Sequence, residues 1–253
     1  MKYYSDLLAM GCFSKEEVTE LTGNYNTAGT LLKSYLKKGY IRSVKRNLYV
    51  AVNLADDQPV ASKFRIAGQI APTAYVSHHA AFEVYGCANQ MSYQVEVSSD
   101  TKFNTFDFDG NTYAYLASRI PNGVVSRPDG VRVTDIERTV LDGIHDFEKV
   151  MGLEELLRCL ALVPALKEDK LVAYLADYHK QVLYQKTGYI LRHFQNELRL
   201  SEAFFTECAA HIGKSTRYLM SNENGTYNRE WRLIVPQNLM AITIKGVDQD
   251  ADV

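Results

Sequence analysis

The residues from Lys33 to Arg46 include six cationic side chains and no acidic one. Lysine and arginine at this density are suited to binding nucleic acid, because each can neutralise a phosphate of the backbone. Such a run could also be the solvated surface of a protein-binding module, but the absence of any acidic residue favours DNA. Double-stranded DNA is therefore the first partner to test.

The basic run covers the end of an amphipathic helix and the hairpin that follows it. At about 100° per residue, one face of this helix is apolar and the other is polar. The apolar face is formed by Ala28, Leu31, Leu32, Tyr35 and Leu36. A hairpin is expected after Gly39, with its turn at Arg46-Asn47, because asparagine tolerates the left-handed backbone of a tight turn.

Two further helices are predicted before this one. The first lies around residues 2–10, and the second begins at a capping box formed by Ser14 and Glu17. This order of elements is typical of a winged helix-turn-helix, whose recognition helix reaches base edges with its N-terminal half. We expect base contacts from Asn26, Thr27, Thr30, Lys33 and Ser34. We expect phosphate contacts, which position the protein without reading sequence, from Lys37, Lys38, Arg42, Lys45 and Arg46.

The composition predicts a soluble, cytoplasmic protein with an uneven distribution of charge. Hydrophobic residues make up 46% of the chain, so it should fold rather than stay disordered. Residues 1–50 contain eight Lys/Arg and four Asp/Glu, whereas the net charge of the whole chain is −2, so the remainder is acidic. The four cysteines form no ligand cluster, and no apolar run reaches the roughly 20 residues of a membrane span. We therefore expect reduced thiols and no membrane partner.

The polar segment Asp56–Pro59 suggests a linker, which would divide the chain into domains of residues 1–56 and 60–253. In the second domain, alternation predicts a strand at 93–97, and Asp109-Gly110 predicts the turn of a hairpin. A second capping box, Thr134 with Glu137, begins a mostly helical segment in which Arg138 has a scaffolding role. The expected fold class is therefore α+β, with an N-terminal winged helix-turn-helix and a mixed α/β C-terminal domain.

Three groups of residues could indicate an enzyme, but each has a simpler explanation. His78 and His79 are neighbours on a helix, where they point about 100° apart, so one should be packed and the other exposed. The sequence GKST at 213–216 lacks the earlier glycine of a phosphate-binding loop. Carboxylates at Glu96, or at Asp142 and Asp146 beside His145, resemble nuclease ligands, but a solvated helix face is the usual explanation for the latter pair. We expect no catalytic residue, bound metal or cofactor.

Four segments of the chain resemble the AbiEi family of antitoxins, which are transcriptional regulators of phage-defence systems. Residues 133–142, VTDIERTVLD, are similar to the family's most specific motif, TDPERTLLD, with Ile136 in place of proline. The others are SHHAAFEVYG at 77–86, WRLIVP at 231–236, and the basic hairpin KRNLYV at 45–50, where Asn47 replaces the usual glycine. The resemblance covers nearly the whole length of the chain.

This resemblance implies a repressor that binds inverted repeats in the promoter of its own operon. It further implies an antitoxin whose C-terminal domain opposes a nucleotidyltransferase toxin, without enzymatic activity of its own. Two alternatives stay open on sequence grounds. One is a metal-dependent nuclease targeted by the winged helix, and the other is a ligand-sensing regulator without a toxin partner.

Overall fold

The computed structural model describes residues 2–220 and 225–242, and it has an α+β fold with several small sheets. Its contacts divide the chain into two compact units. The first unit comprises the residues up to 76 together with 93–117 and 126–133. The second comprises 77–92, 118–125 and the residues from 134 onwards, of which 221–224 and 243–253 lie outside the described part. Within the described ranges, no helix is long and apolar enough to cross a membrane.

The N-terminal part of the first unit consists of three helices and a small antiparallel sheet. Its elements are α1 (Tyr4–Met10), β1 (Cys12–Ser14), α2 (Lys15–Thr22), α3 (Tyr25–Lys37), β2 (Ile41–Lys45), β3 (Leu48–Asn53) and β4 (Gln58–Pro59). The strand order is β1-β3-β2, and β4 pairs with β3. Side chains from all three helices meet the sheet in one apolar core, which includes Leu7, Phe13, Val18, Ala28, Leu32, Tyr35, Ile41 and Ala51.

Local side-chain bonds fix where α2 and α3 begin. The predicted capping box is confirmed, because the Glu17 N–H donates to Ser14 Oγ at 3.2 Å and the Ser14 N–H donates to the Glu17 carboxylate at 2.7 Å. Asn24 caps α3 by accepting from the N–H groups of Asn26 and Thr27, at 2.9 and 3.0 Å. Free amides at both helix starts are therefore satisfied by side chains.

The segment 56–59, interpreted from its composition as a linker, closes a hairpin between β3 and β4. Asn53 lies opposite Gln58 in this pair, and Val52 lies opposite Pro59. The Asp56 side chain accepts from the Gln58 N–H at 3.0 Å, as in an ordinary tight turn. Polar residues followed by proline are common to turns and linkers, so composition alone did not distinguish them. The expected domain boundary lay between residues 56 and 60, whereas the contacts place this segment inside the first unit.

The next elements along the chain are two short helices and six strands. They are α4 (Lys63–Ala67), β5 (Tyr75–Val76), α5 (His78–Val84), β6 (Gln94–Ser99), β7 (Phe106–Phe108), β8 (Asn111–Ala117), β9 (Val124–Ser126) and β10 (Arg132–Thr134). In the described residues the six strands form a second sheet in the order β7-β8-β6-β5-β10-β9. Strand β6 is almost completely buried and pairs in parallel with β8. The predicted hairpin is confirmed, because Phe108 pairs with Asn111 across the turn at Asp109-Gly110, and both turn residues have a positive φ.

The second unit is mainly helical and has a large apolar core. Trp231 is 1% exposed and packs so closely on Gly188 that a Cβ there would lie 2.0 Å from the indole. The unit's elements after residue 134 are α6 (Ile136–His145), α7 (Leu153–Leu162), α8 (Glu168–Tyr178), α9 (Gln181–Arg192), α10 (Glu202–Ala210), β11 (Arg217–Tyr218), β12 (Thr226–Asn228) and β13 (Leu233–Val235). A 3-10 turn follows α6, and the three strands form a small sheet in the order β11-β13-β12.

The second predicted capping box is wrong. The residue that caps α6 is Asp135, whose carboxylate accepts from the Arg138 N–H at 2.9 Å, and not Thr134. The Glu137 carboxylate instead accepts from the backbone N–H of Lys167 at 3.0 Å, immediately before α8. Thr134 and Asp135 are both residue types that can cap a helix, and in the structure Asp135 does so.

Arg138 is the largest charged side chain in the core of this unit. Its Nε donates to Asp142 at 2.8 Å, and Nη1 donates to the backbone carbonyls of Ile120 and Asn122 at 3.1 and 2.5 Å. The expectation that Asp142 lies on a solvated face is wrong, because both Arg138 and Asp142 are only 1% exposed. The scaffolding role predicted for Arg138 is confirmed, since it connects α6 to the segment at 120–122.

Replacing Arg138 with alanine should lower the free energy of unfolding by about 3–5 kcal/mol, because Asp142 would remain buried without its counter-charge. The matched control is Arg158→Ala, which removes a partly exposed pair with Glu154 of the same i,i+4 spacing. That change should cost about 0.5 kcal/mol or less. Urea unfolding measures both. Equal losses for the two variants would contradict the structural role assigned to Arg138.

Candidate nucleic-acid interface

Helix α3 presents a polar face outwards from the first unit. Its buried residues are Ala28, Leu32 and Tyr35, whereas Leu36, predicted on the apolar face, is 38% exposed. The residues with predicted base contacts all lie on the outer side of the helix. Of these, Ser34 is half-buried, and the exposed ones are Asn26, Thr27, Thr30 and Lys33. Lys37 and Lys38 are exposed at its C-terminal end. This face is therefore accessible to a large ligand.

The turn between β2 and β3 is held against the start of α2. Asn47 has a φ of 64°, as expected for the turn position. Its side-chain amide donates to the Glu16 carboxylate at 2.5 Å and accepts from the Lys15 N–H at 3.2 Å. The bond from Asn47 is also the main reason that the pKa of the exposed Glu16 is lowered. The exposed side chain of Arg46 consequently projects from a turn with a fixed position.

Two of the five predicted phosphate contacts are engaged within the protein. The Arg42 guanidinium donates to Asp57 at 2.8 Å and to Asp109 at 3.3 Å, so two carboxylates already neutralise it. The Lys45 ammonium donates to the Ile70 carbonyl at 3.0 Å and lies over the Phe103 ring, and burial lowers its pKa. These two residues hold the hairpin to the rest of the first unit.

The remaining cations stay available for a ligand. Lys33, Lys37 and Arg46 form no ion pair with any residue in the described ranges, and all three are exposed. Lys38 is also exposed, and its ammonium lies 5.9 Å from the centroid of the Tyr40 ring. Of the six cations in the sequence run, four thus lie on α3 and at the turn without a carboxylate partner among the described residues.

One aromatic residue of this surface was not predicted from the sequence. Tyr25 is the first residue of α3 and is 61% exposed. The Lys15 ammonium lies 3.3 Å from the centroid of its ring, so the pair extends the exposed surface towards α2. The helix was expected to begin near Asn26, one residue later than it does. The Asn24 cap, which marks the true first residue, was the available signal.

Several of the residues that could have indicated an enzyme are buried in this fold. Glu96, 3% exposed on β6, accepts from the Gln94 side chain at 2.9 Å, and it belongs to a different unit from Asp142. His78 and His79 are both buried, so the expectation that one is exposed is wrong. The GKST segment follows α10, and the position of the missing glycine is Cys208 within that helix.

No family model matches the sequence, and no curated protein matches it. Among solved structures, the chain is similar to the crystal structure of the RV2827C protein from Mycobacterium tuberculosis, with a TM-score of 0.65 and 12% sequence identity. The similarity covers 98% of this chain and 94% of the other. At this level of identity the comparison establishes a shared fold over the whole length and nothing more.

Asn47 should tolerate glycine better than alanine. Both changes remove the side-chain bonds to Glu16 and Lys15, but only alanine is strained at a φ of 64°. We expect Asn47→Ala to be about 1 kcal/mol less stable than Asn47→Gly, because a left-handed backbone costs about 1–2 kcal/mol for residues with a Cβ. Equilibrium unfolding in urea provides the comparison. An alanine variant as stable as the glycine variant would argue against the assigned turn geometry.

Proposed function

We propose that the N-terminal part of the first unit is a winged helix that binds double-stranded DNA, with α3 as the recognition helix. The observation that carries this proposal is the exposed, uncompensated charge on α3 and at the β2–β3 turn. The order of helices and strands from α1 to β3 and the small antiparallel sheet also support it. A major groove about 12 Å wide admits a single α-helix, and the exposed face of α3 would enter it.

The roles of the individual residues follow from their surroundings. Base edges would be contacted by the outer face of α3, namely Asn26, Thr27, Thr30, Lys33 and Ser34, with Tyr25 at its start. Phosphates would be contacted by Lys37, Lys38 and Arg46, which have no competing carboxylate among the described residues. Arg42 and Lys45 would serve to hold the hairpin rather than to bind DNA directly, because their charged groups already have protein partners.

The biological role proposed here is autoregulation of an operon by a repressor that is also an antitoxin. Its support is the resemblance of four segments to AbiEi antitoxins, above all residues 133–142. In this proposal the chain has no enzymatic activity and opposes a nucleotidyltransferase toxin encoded beside it. Two copies would bind inverted repeats, with half-sites separated by roughly 10 base pairs or a multiple of that distance.

Replacing both Lys37 and Arg46 with alanine should weaken binding to the DNA upstream of the protein's own gene. Each lost phosphate contact should reduce the slope of log K against log salt concentration by about 0.9, so the double variant should lose roughly 1.8. The control is Arg42→Ala, which should leave the slope almost unchanged because Arg42 is already paired. Gel-shift titrations at several salt concentrations measure the slopes. The same slope for the double variant and the native protein would refute the proposed interface.

The antitoxin proposal makes a separate prediction for cells. Expression of the neighbouring nucleotidyltransferase should arrest growth, and co-expression of this protein should restore it. The Lys37 and Arg46 double variant should restore growth equally well when both genes are under an unrelated promoter, because the C-terminal domain would provide neutralisation. Growth curves measure the outcome. Persistent arrest with the native protein would reject the antitoxin role while leaving the DNA-binding proposal intact.

A further inference from the structure

Three side chains that commonly bind metal ions meet in the core of the second unit. His79 lies on α5, while Glu155 and Cys159 lie one turn apart on α7. They are 0%, 4% and 0% exposed, and their ligand atoms all lie within 4.8 Å of one another. This group is independent of the basic surface on α3, which belongs to the first unit.

Two distances within this group match the edges of a tetrahedral zinc site. The His79 Nε2 atom lies 3.4 Å from Glu155 Oε1, and the Cys159 Sγ atom lies 3.5 Å from the same oxygen. With usual zinc–ligand bond lengths, tetrahedral geometry requires an N–O edge of about 3.4 Å and an S–O edge of about 3.6 Å. A direct N–H···O bond would normally be about 2.7–3.2 Å long. The imidazole–carboxylate separation therefore fits a shared metal ion better than a hydrogen bond.

Neighbouring groups hold two of these ligands in place. Oδ and Oε atoms of carboxylates often orient a metal-binding histidine through its second ring nitrogen. Here the Glu83 carboxylate lies 3.3 Å from His79 Nδ1, which leaves Nε2 directed towards Glu155. The Glu155 Oε1 atom also accepts from the backbone N–H groups of Asn89 and Gln90, both at 3.0 Å. The site is thus preorganised by groups that do not themselves contact the ion.

We propose that His79, Glu155 and Cys159 bind a zinc ion that connects α5 and α7. An imidazole, a carboxylate and a thiolate form a mixed N, O and S ligand set, which suits Zn²⁺ and disfavours Mg²⁺ or Ca²⁺. The carboxylate and thiolate ligands together balance the two positive charges of the ion, so the ion and its three ligands carry no net charge. Three protein ligands leave one tetrahedral position for a water molecule.

Binding of the ion would release one proton, from the Cys159 thiol, because a thiol that coordinates a metal ion is deprotonated. The divalent ion takes the place of that proton and forms the Zn–S bond.

The test uses the full chain without an affinity tag, expressed with added zinc and dialysed extensively. Elemental analysis should find about one zinc ion per chain. Replacement by Co²⁺ should give the near-ultraviolet charge-transfer band of a thiolate–cobalt bond. The band should be lost in Cys159→Ser and retained in Cys208→Ser, a matched control because Cys208 is equally buried in the same unit.

A second variant keeps the proposal testable if Cys159→Ser does not fold. Glu155→Gln preserves the shape of the side chain but removes its charge, and it should weaken zinc binding by at least about tenfold. Circular dichroism establishes that each variant is folded before its metal content is compared. Native protein that retains no zinc and shows no cobalt–thiolate band would overturn the proposal. Equal bands in the Cys159 and Cys208 variants would overturn it as well.

Discussion

The ion pair and hydrogen bonds of the buried Arg138 side chain are the interactions on which the second unit most depends. A guanidinium cannot lose its charge in a protein, so the chain around it must supply acceptors. Asp142 and the carbonyls of Ile120 and Asn122 do so, and they come from two separate segments of the chain. Asp135 and Glu137, on the same helix, accept from Lys170 and from the backbone before α8. One helical turn therefore determines the positions of several neighbouring segments.

In the first unit, by contrast, several charged side chains lie at the surface. The six cations between Lys33 and Arg46 are divided between those that hold the hairpin and those that have no carboxylate partner among the described residues. Arg42 and Lys45 fix the strands that carry Arg46, while Asn47 fixes the turn itself. A rigid turn loses little conformational entropy when it contacts a ligand, so more of the interaction energy contributes to affinity. The contacts of Arg42 and Lys45 within the protein thus help to fix the position of the exposed Arg46.

Local features of the fold could be predicted from the sequence, whereas contacts between distant residues could not. The amphipathic pattern of α3, the Ser14 cap and the left-handed turn at Asn47 depend on residues close together in the chain. By contrast, Arg42 pairs with Asp109, 67 positions away, and no local pattern reveals this. Strand β1 has only three residues, too few for a period of two to be recognised. The cluster at His79 was missed because its members are separated by the segment that contains the second sheet.

The discontinuous composition of the first unit affects how the protein can fold during synthesis. Its last segment is 126–133, so more than half of the chain must be made before this unit is complete. During that time 77–92 and 118–125 have already been synthesised, yet their own unit still lacks every helix from α6 onwards. Loops of this length make native contacts slow to form on a growing chain. No single cut in the chain separates two units that are interleaved in this way, so neither can be removed as one continuous segment.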